Sequence, residues 1–241
     1  MNVVIDIGNS SVKTAIFDRD RCRETVITDD SRQTQSALAQ LLQLYRPEYG
    51  ILSSVKTPDC NILRLLSAQI PHFYELNYRI PLPLQINYQT PETLGVDRIA
   101  AAVGASCLHP GRNLLVIDIG TAITIDFVSA DGKYKGGNIS PGPALRFKAL
   151  HQFTDKLPEV AENGDFPPLG SDTESAIRAG VIHGIARELD SYIEEYQKNA
   201  NVLSLLTGGY AEYFVNKLKN TTFVAENLVL TGLNEILNYQ K

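Results

Sequence analysis

The chain has 241 residues and a formal net charge of −5, with 44% hydrophobic and 20% charged side chains. That composition suits a globular protein of one large domain or two of about 110–120 residues each. No run of Lys and Arg exceeds two residues and no apolar run approaches the roughly 18 needed to cross a bilayer, which argues against nucleic-acid and membrane partners.

Residues 2–8 and 12–18 read as two strands around a Gly-Asn-Ser turn, a hairpin. Over Ser31 to Tyr45, Leu38, Leu41, Leu42 and Tyr45 recur at spacings of three and four, which predicts a helix with one apolar face. A strand is expected over 49–55, and Pro58 opens a helix carrying Ile62, Leu65, Leu66 and Gln69 on successive turns. The proline-bearing stretch 76–91 predicts an extended loop, and Pro91 starts a helix that runs through Arg98 to about Cys107.

Further strands are predicted over 114–119, 122–129 and 133–139, then a turn at ISPGP and a helix over 144–153. Pro158, Gly164, Pro167, Pro168 and Gly170 make 158–171 a flexible loop. A long helix follows from Ser171 or Asp172 to about Lys198. The strand VLSLLTGG, a helix over 210–219, strand material near 222–230 and a short last helix complete the prediction.

Three cysteines, Cys22, Cys60 and Cys107, are far apart and odd in number, so neither a disulfide framework nor a zinc site is expected. No basic, cleavable leader precedes Asp6, and a cytoplasmic location with reduced thiols is expected. The four histidines, at 72, 109, 151 and 183, show no ligand spacing and no catalytic histidine is expected.

Val4 to Gly8, VIDIG, recur letter for letter as Val116 to Gly120. A single repeat at an offset of 112 residues implies a duplicated domain rather than a solenoid, and strand–hairpin–helix order in both halves implies an α/β protein with two sheet-based lobes. Each copy ends an apolar strand on an aspartate followed by glycine. With no Cβ, Gly8 and Gly120 let an anion approach backbone N–H groups closely, and Ser10, Ser11, Thr121 and Thr124 add hydroxyl donors. Lys13 adds positive charge, while Asp6 and Asp118 are placed to hold a cation or its waters beside a polyphosphate. One such turn is ordinarily a hairpin whose Asp bonds its own backbone; two matched turns point to a nucleotide clamped between lobes.

DIGNSSVKTAIFD, GVDR, LLVIDIGTAITID, GGNISPG, KLPEV, TESAIRAG and LTGGYAEYF occur in an order that resembles type III pantothenate kinases, of the acetate and sugar kinase, Hsp70 and actin superfamily. The acid turns alone indicate the superfamily; GVDR and the Gly-Gly-x-Ile-x-Pro-Gly element indicate the family. The resemblance implies two duplicated ribonuclease H-like lobes, an actin-like ATPase fold, with residues 1–112 and 113–241 as the lobes and the nucleotide in the cleft between them. It implies transfer of the γ-phosphoryl group of ATP to pantothenate, the first committed step toward coenzyme A.

Residue by residue, the resemblance implies that Asp6, Ile7, Gly8, Asn9, Ser10, Ser11, Val12 and Lys13 line the ATP phosphates, with Thr121 as a further ATP contact. Asp118 matches a ligand of a monovalent cation, potassium or ammonium, and magnesium is expected with ATP. Gly95, Val96, Asp97 and Arg98 match a pantothenate-binding segment, as do Tyr88 and Thr173, with Asp97 as the proton acceptor. Arg98, a fixed cation with a planar fork, suits either the pantothenate carboxylate or the migrating phosphoryl group. Thr173, with Asp172, also reads as a helix N-cap. The resemblance implies a homodimer, and the small residues of GVIHGIAREL suit close helix contact. Two departures stand out, Tyr210 where the family usually has aspartate and Ser10 where threonine is more frequent. A non-catalytic nucleotide-binding regulator similar to Bvg accessory factor is the alternative, and the presence of Asp97 favours the enzyme.

Overall fold

In the computed structural model, which describes residues 1–199 and 201–241 (Asn199 by its backbone), the apolar run after Met1 forms β1 (Asn2–Ile7) and turns into β2 (Val12–Asp18). There follow β3 (Arg21–Thr28), α1 (Ser31–Tyr45), β4 (Tyr49–Ser54), α2 (Cys60–Gln69), β5 (His72–Glu75) and β6 (Gln85–Ile86). A 3₁₀ turn, Pro91–Thr93, precedes α3 (Val96–Leu108). The chain continues with β7 (Asn113–Ile119), β8 (Ala122–Ser129), β9 (Lys133–Pro141), α4 (Pro143–Gln152) and α5 (Thr173–Asn199). It ends with β10 (Val202–Thr207), α6 (Ala211–Val215), β11 (Phe223–Val224) and α7 (Leu228–Tyr239).

The chain divides into two units. One comprises Met1–Arg112, Val128–Gly136 and Asn227–Lys241, and the other Asn113–Phe127 and Gly137–Glu226. The last helix therefore counts with the first unit, apart from the segment that precedes it.

In the first unit the strand order is β3-β2-β1-β4-β5. β1 is central: it is antiparallel to β2 and parallel to β4, so its Val3, Val4 and Ile5 are fully buried. α1 occupies the predicted residues. Asp30 caps it by accepting from the N–H groups of Arg32 and Gln33 at 2.8 and 2.9 Å, and Leu38, Leu41 and Leu42 form its buried stripe. β3, not anticipated from the sequence, is an edge strand; its exposed Arg21 and Arg23 and half-buried Glu24 hide the alternation, as charged edges commonly do.

The predicted helix from Pro91 to Cys107 is in fact two pieces. Leu94 and Gly95 have extended ψ values of 125° and 129°, and α3 starts afresh at Val96. The cause is local. Asp97 Oδ1 folds back to accept from the N–H of Arg98 at 2.9 Å, and a Cβ at Gly95 would lie 2.5 Å from that oxygen.

α3 and α7 cross at very short range. A Cβ on Gly232 would sit 1.8 Å from the carbonyl oxygen of Ala100, and one on Gly104 would sit 2.4 Å from that of Leu228. Ala100, Ala101 and Ala105 keep the rest of this face of α3 small. Of the strand material expected near 222–230 only Phe223–Val224 is extended, and 228–230 already belong to α7. Leu230, Leu233 and Ile236 or Leu237 recur at helical spacing and are buried. Asn2 on β1 also ties to α7, donating to Asn234 at 2.7 Å and to Asn238 at 3.0 Å.

In the second unit β11, β10 and β7 are parallel neighbours, with β8 and β9 beyond them, and α5 buries Ile177, Val181, Ile182, Ile185, Leu189 and Ile193 in its core. The predicted helix over 210–219 stops at Val215. Asp190 accepts from the N–H groups of Lys219 and Asn220 at 3.0 and 3.1 Å, which turns the chain toward β11. The start of β9 belongs to the first unit, where β6 pairs with it through Gln85–Lys133 and Ile86–Tyr134. Among the described residues no helix is long and apolar enough to cross a membrane.

Candidate active site

The first acid turn is built by the β1–β2 hairpin. Asp6 and Ile7 end β1, the N–H of Gly8 donates to the carbonyl of Ser11 at 3.0 Å, Asn9 and Ser10 are exposed at the tip, and Val12 and Lys13 begin β2. Lys13 stands directly opposite Asp6 in the antiparallel register, and Ser53 of β4 stands opposite it on the parallel side. Asp6 Oδ1 and the hydroxyl oxygen of Ser53 are both buried with no hydrogen-bond partner among the described residues.

The GVDR segment lies in the same unit. Gly95 is the N-cap of α3, Val96 and Asp97 form its first turn, and Arg98 is only 5% exposed. Tyr88 stands between them and the start of β9. Its ring meets that of Tyr134 edge-on at 6.1 Å and carries the Arg98 guanidinium at 5.9 Å, within cation–π range. Gly136, at φ 116°, presents bare backbone to the same ring; a Cβ there would lie 3.8 Å from it and would be strained in that conformation. The structure thus brings Asp6, Lys13, Tyr88 and Gly95 to Arg98 into one unit.

Asp6 and Asp97 feel each other. Burial pushes the Asp6 carboxyl up from 3.8 to about 6, and the Asp97 charge pushes in the same direction, against the weaker pull of Ser53 and Lys13. The Ser53 hydroxyl is near enough to favour the carboxylate yet falls outside hydrogen-bond geometry. The native state therefore holds this proton more tightly than the unfolded chain does. Stability from that source is full below about pH 4 and is lost as pH rises through about 6. Asp6→Asn, which cannot ionise, is expected to resist urea better than the parent at pH 8, with the difference closing toward pH 4; equal midpoints at pH 8 would contradict this assignment.

The second unit carries the other acid turn. Asp118 and Ile119 end β7, the N–H of Gly120 donates to the carbonyl of Ala122 at 3.0 Å, and Thr121 accepts at its carbonyl from the N–H of Gly142 at 3.0 Å. The β10–α6 turn presses on the acid itself. Gly208 has φ 91°, and a Cβ there would lie 2.3 Å from Asp118 Oδ1. Thr173 opens α5, but the cap is Asp172, whose Oδ1 accepts from the N–H of Ser175 at 3.0 Å. Thr173 is left exposed on a groove of about 890 Å³ lined also by Arg146, Phe153, Leu157, Ile177 and Gly180.

Among the described residues no three His, Cys, Asp or Glu side chains cluster as metal ligands. Each acid turn offers one carboxylate with hydroxyl and carbonyl oxygens, a hard-oxygen set that fits magnesium or a monovalent cation and not zinc. The orphaned oxygens of Asp6 and Ser53 fit such a role. Ser53 was missed from the sequence; the only signal was a polar pair, Ser53-Ser54, at the end of an apolar strand.

The type III pantothenate kinase family profile matches residues 2–195. The type III pantothenate kinase of Azobacteroides pseudotrichonymphae genomovar. CFP2 is 53% identical over all of this chain and 98% of its own length. Among solved structures, a candidate Baf family transcriptional activator from Campylobacter jejuni is similar at TM-score 0.62 and 23% identity, covering 99% of this chain and 98% of that one. The ROK hexokinase of Thermus thermophilus is similar at TM-score 0.55 and 14% identity, with 99% and 98% covered. These structural likenesses establish the fold, an actin-like ATPase fold with two α/β sheets. With the profile over most of its length and so similar a full-length relative, the chain belongs to the type III pantothenate kinase family.

Proposed function

We propose that this protein is the kinase its family membership indicates, transferring the γ-phosphoryl group of ATP to pantothenate to give 4′-phosphopantothenate, the first step of coenzyme A synthesis. The observation that carries the reading is Asp97, held in the first turn of α3 within the electrostatic reach of Asp6. Phosphoryl transfer is mainly positioning and charge stabilisation, with a carboxylate orienting the attacking hydroxyl. The primary alcohol of pantothenate bonds to the γ-phosphorus, the bond to the β–γ bridging oxygen breaks, and the alcohol proton passes to Asp97.

Within the first unit, Asp6 to Lys13 supply backbone donors, hydroxyls and one ammonium to phosphate, and Tyr88 and Gly95 to Arg98 receive pantothenate. Arg98 adds a buried positive charge beside Asp97. Asp6, with the Ser53 hydroxyl, would hold magnesium, which neutralises the β- and γ-phosphate charge when bound. Within the second unit, Thr121 contacts ATP and Asp118 would hold potassium or ammonium. The halves 1–112 and 113–241, one acid turn each, are read as a duplication.

The protein acts as a homodimer in the cytoplasm. Exposed Phe153, 80% accessible, and Gly180, where a Cβ would meet nothing within 4 Å, line one groove and support a second copy against this face of the second unit. Three free, exposed cysteines support a reducing compartment. The test is ADP production from ATP with and without pantothenate, run in potassium, ammonium and sodium. Pantothenate-dependent ADP release that falls in sodium is expected. No pantothenate dependence in any salt would favour the nucleotide-binding regulator, and an identical rate in all three would remove the cation role of Asp118.

A further inference from the structure

Segment 158–170 has no regular secondary structure, yet it is tied down inside the second unit at several points. The carbonyl of Ala161 accepts from Arg178 Nε at 3.0 Å. The ring of Phe166 meets His183 edge-on at 5.6 Å and Tyr213 at 6.5 Å. The Lys217 ammonium lies 3.5 Å over the Tyr213 ring and 5.5 Å over that of Phe166. Finally, the Tyr210 hydroxyl donates to Glu162 Oε2 at 2.6 Å.

Tyr210 is the tie that continues into the second acid turn. Its backbone N–H donates to the carbonyl of Ile119 at 3.1 Å, and Gly208, two residues earlier, is pressed on Asp118. The side chain thus reaches the loop while the main chain holds the strand end that carries the acid. A carboxylate at 210 would face that of Glu162 and repel it; a phenol donates to it instead. Burial and the neighbouring Glu162 push the Tyr210 hydroxyl up to about 12, so it keeps its proton, and the bond, across the neutral range.

We propose that Tyr210 is a positioning residue: through Glu162 it anchors segment 158–170 against α6, and through its main chain it couples that anchorage to the turn bearing Asp118 and Thr121. The consequence for ATP rests on the assignment of that turn to the nucleotide. A hydrogen bond to a charged acceptor is strong enough that its loss should increase local opening about tenfold.

The test uses the full chain and two readouts. Amide hydrogen exchange without ligand reads the loop, and calorimetric titration with ATP, beside steady-state kinetics, reads the turn. Tyr210→Phe keeps the ring and the backbone N–H. It is expected to speed exchange over 158–170 about tenfold and to weaken ATP binding and raise KM for ATP about 3–10-fold, with kcat within about twofold. Glu162→Ala should reproduce both effects, Glu162→Gln, which still accepts, should behave as the parent, and the double variant should be no worse than either single one. Unchanged exchange in Tyr210→Phe, faster exchange with unchanged ATP affinity, or failure of Glu162→Gln to preserve the parental behaviour would each overturn the proposal. If the parent shows no pantothenate-dependent turnover, the kinase reading fails, while exchange and ATP titration still decide the role of Tyr210.

Discussion

Asp97→Asn is expected to lose turnover by roughly 10²–10⁴-fold while keeping its fold and its affinity for ATP. The amide preserves the size of the side chain and an oxygen that can still accept from the N–H of Arg98, so the start of α3 is undisturbed. What disappears is the capacity to take the proton that the proposed mechanism passes to Asp97. A second signature is independent of turnover. The Asp97 charge is one of the two causes that raise the Asp6 carboxyl to about 6, so removing it should lower the Asp6 titration midpoint, readable by carbon NMR of labelled aspartate. A variant with near-parental turnover would end the assignment of Asp97 as base. An unmoved Asp6 midpoint would show that the two acids do not communicate.

Gly232→Ala is expected to destabilise the protein severely for a one-carbon change. The added Cβ would stand 1.8 Å from the carbonyl oxygen of Ala100 and 2.9 Å from the nitrogen of Gly104, both backbone, so neither can swing away. The helices must separate, and the close packing of α3 on α7 goes with them. Overpacking of this kind typically costs about 1–3 kcal/mol and sometimes more. Ser36→Ala is the control. It is exposed inside α1, away from both acid turns, and the better helix propensity of alanine should stabilise by up to about 0.5 kcal/mol. Urea unfolding of the two variants should move in opposite directions; equal midpoints would mean that α3 and α7 are not packed this tightly. Because α3 carries Asp97, activity should fall with Gly232→Ala even where the variant remains folded.

Features that depend on neighbours in the chain were legible in the sequence. α1 coincides with the predicted residues because the leucine spacing is a local signal, and the Asp30 that caps it is the residue immediately before it. The two acid turns were legible for the same reason, since an apolar strand, an acid and a glycine suffice to announce each. Features set by distant contacts were hidden. β3 carries charges that mask its period because it lies at an edge, and the break at Gly95, though local, was hidden as well because it turns on how the Asp97 carboxylate folds, which residue type does not fix. α7 is leucine-rich material that a strand would also accept; only α3 makes it a helix partner. The site divided along the same line. Asp6 and Lys13 face each other through one hairpin, whereas the nearness of Asp97 to Asp6, and the orphaned hydroxyl of Ser53, come from strand order and helix packing. The pairing of Tyr210 with Glu162 had no sequence signal, because a loop glutamate has no fixed reach.

The crossing of α3 and α7 has a consequence for how the protein is made. α3 ends at Leu108 and α7 begins at Leu228, so about 120 residues of nascent chain separate the two partners, roughly 6–24 s of synthesis at ~5–20 residues per second. Throughout that interval the alanine face of α3 lacks its cover, and Asn2 lacks the asparagines of α7. The first unit to leave the ribosome is therefore the last to be completed, and the helix bearing Asp97 gains its packing partner only when translation has passed the whole of the second unit.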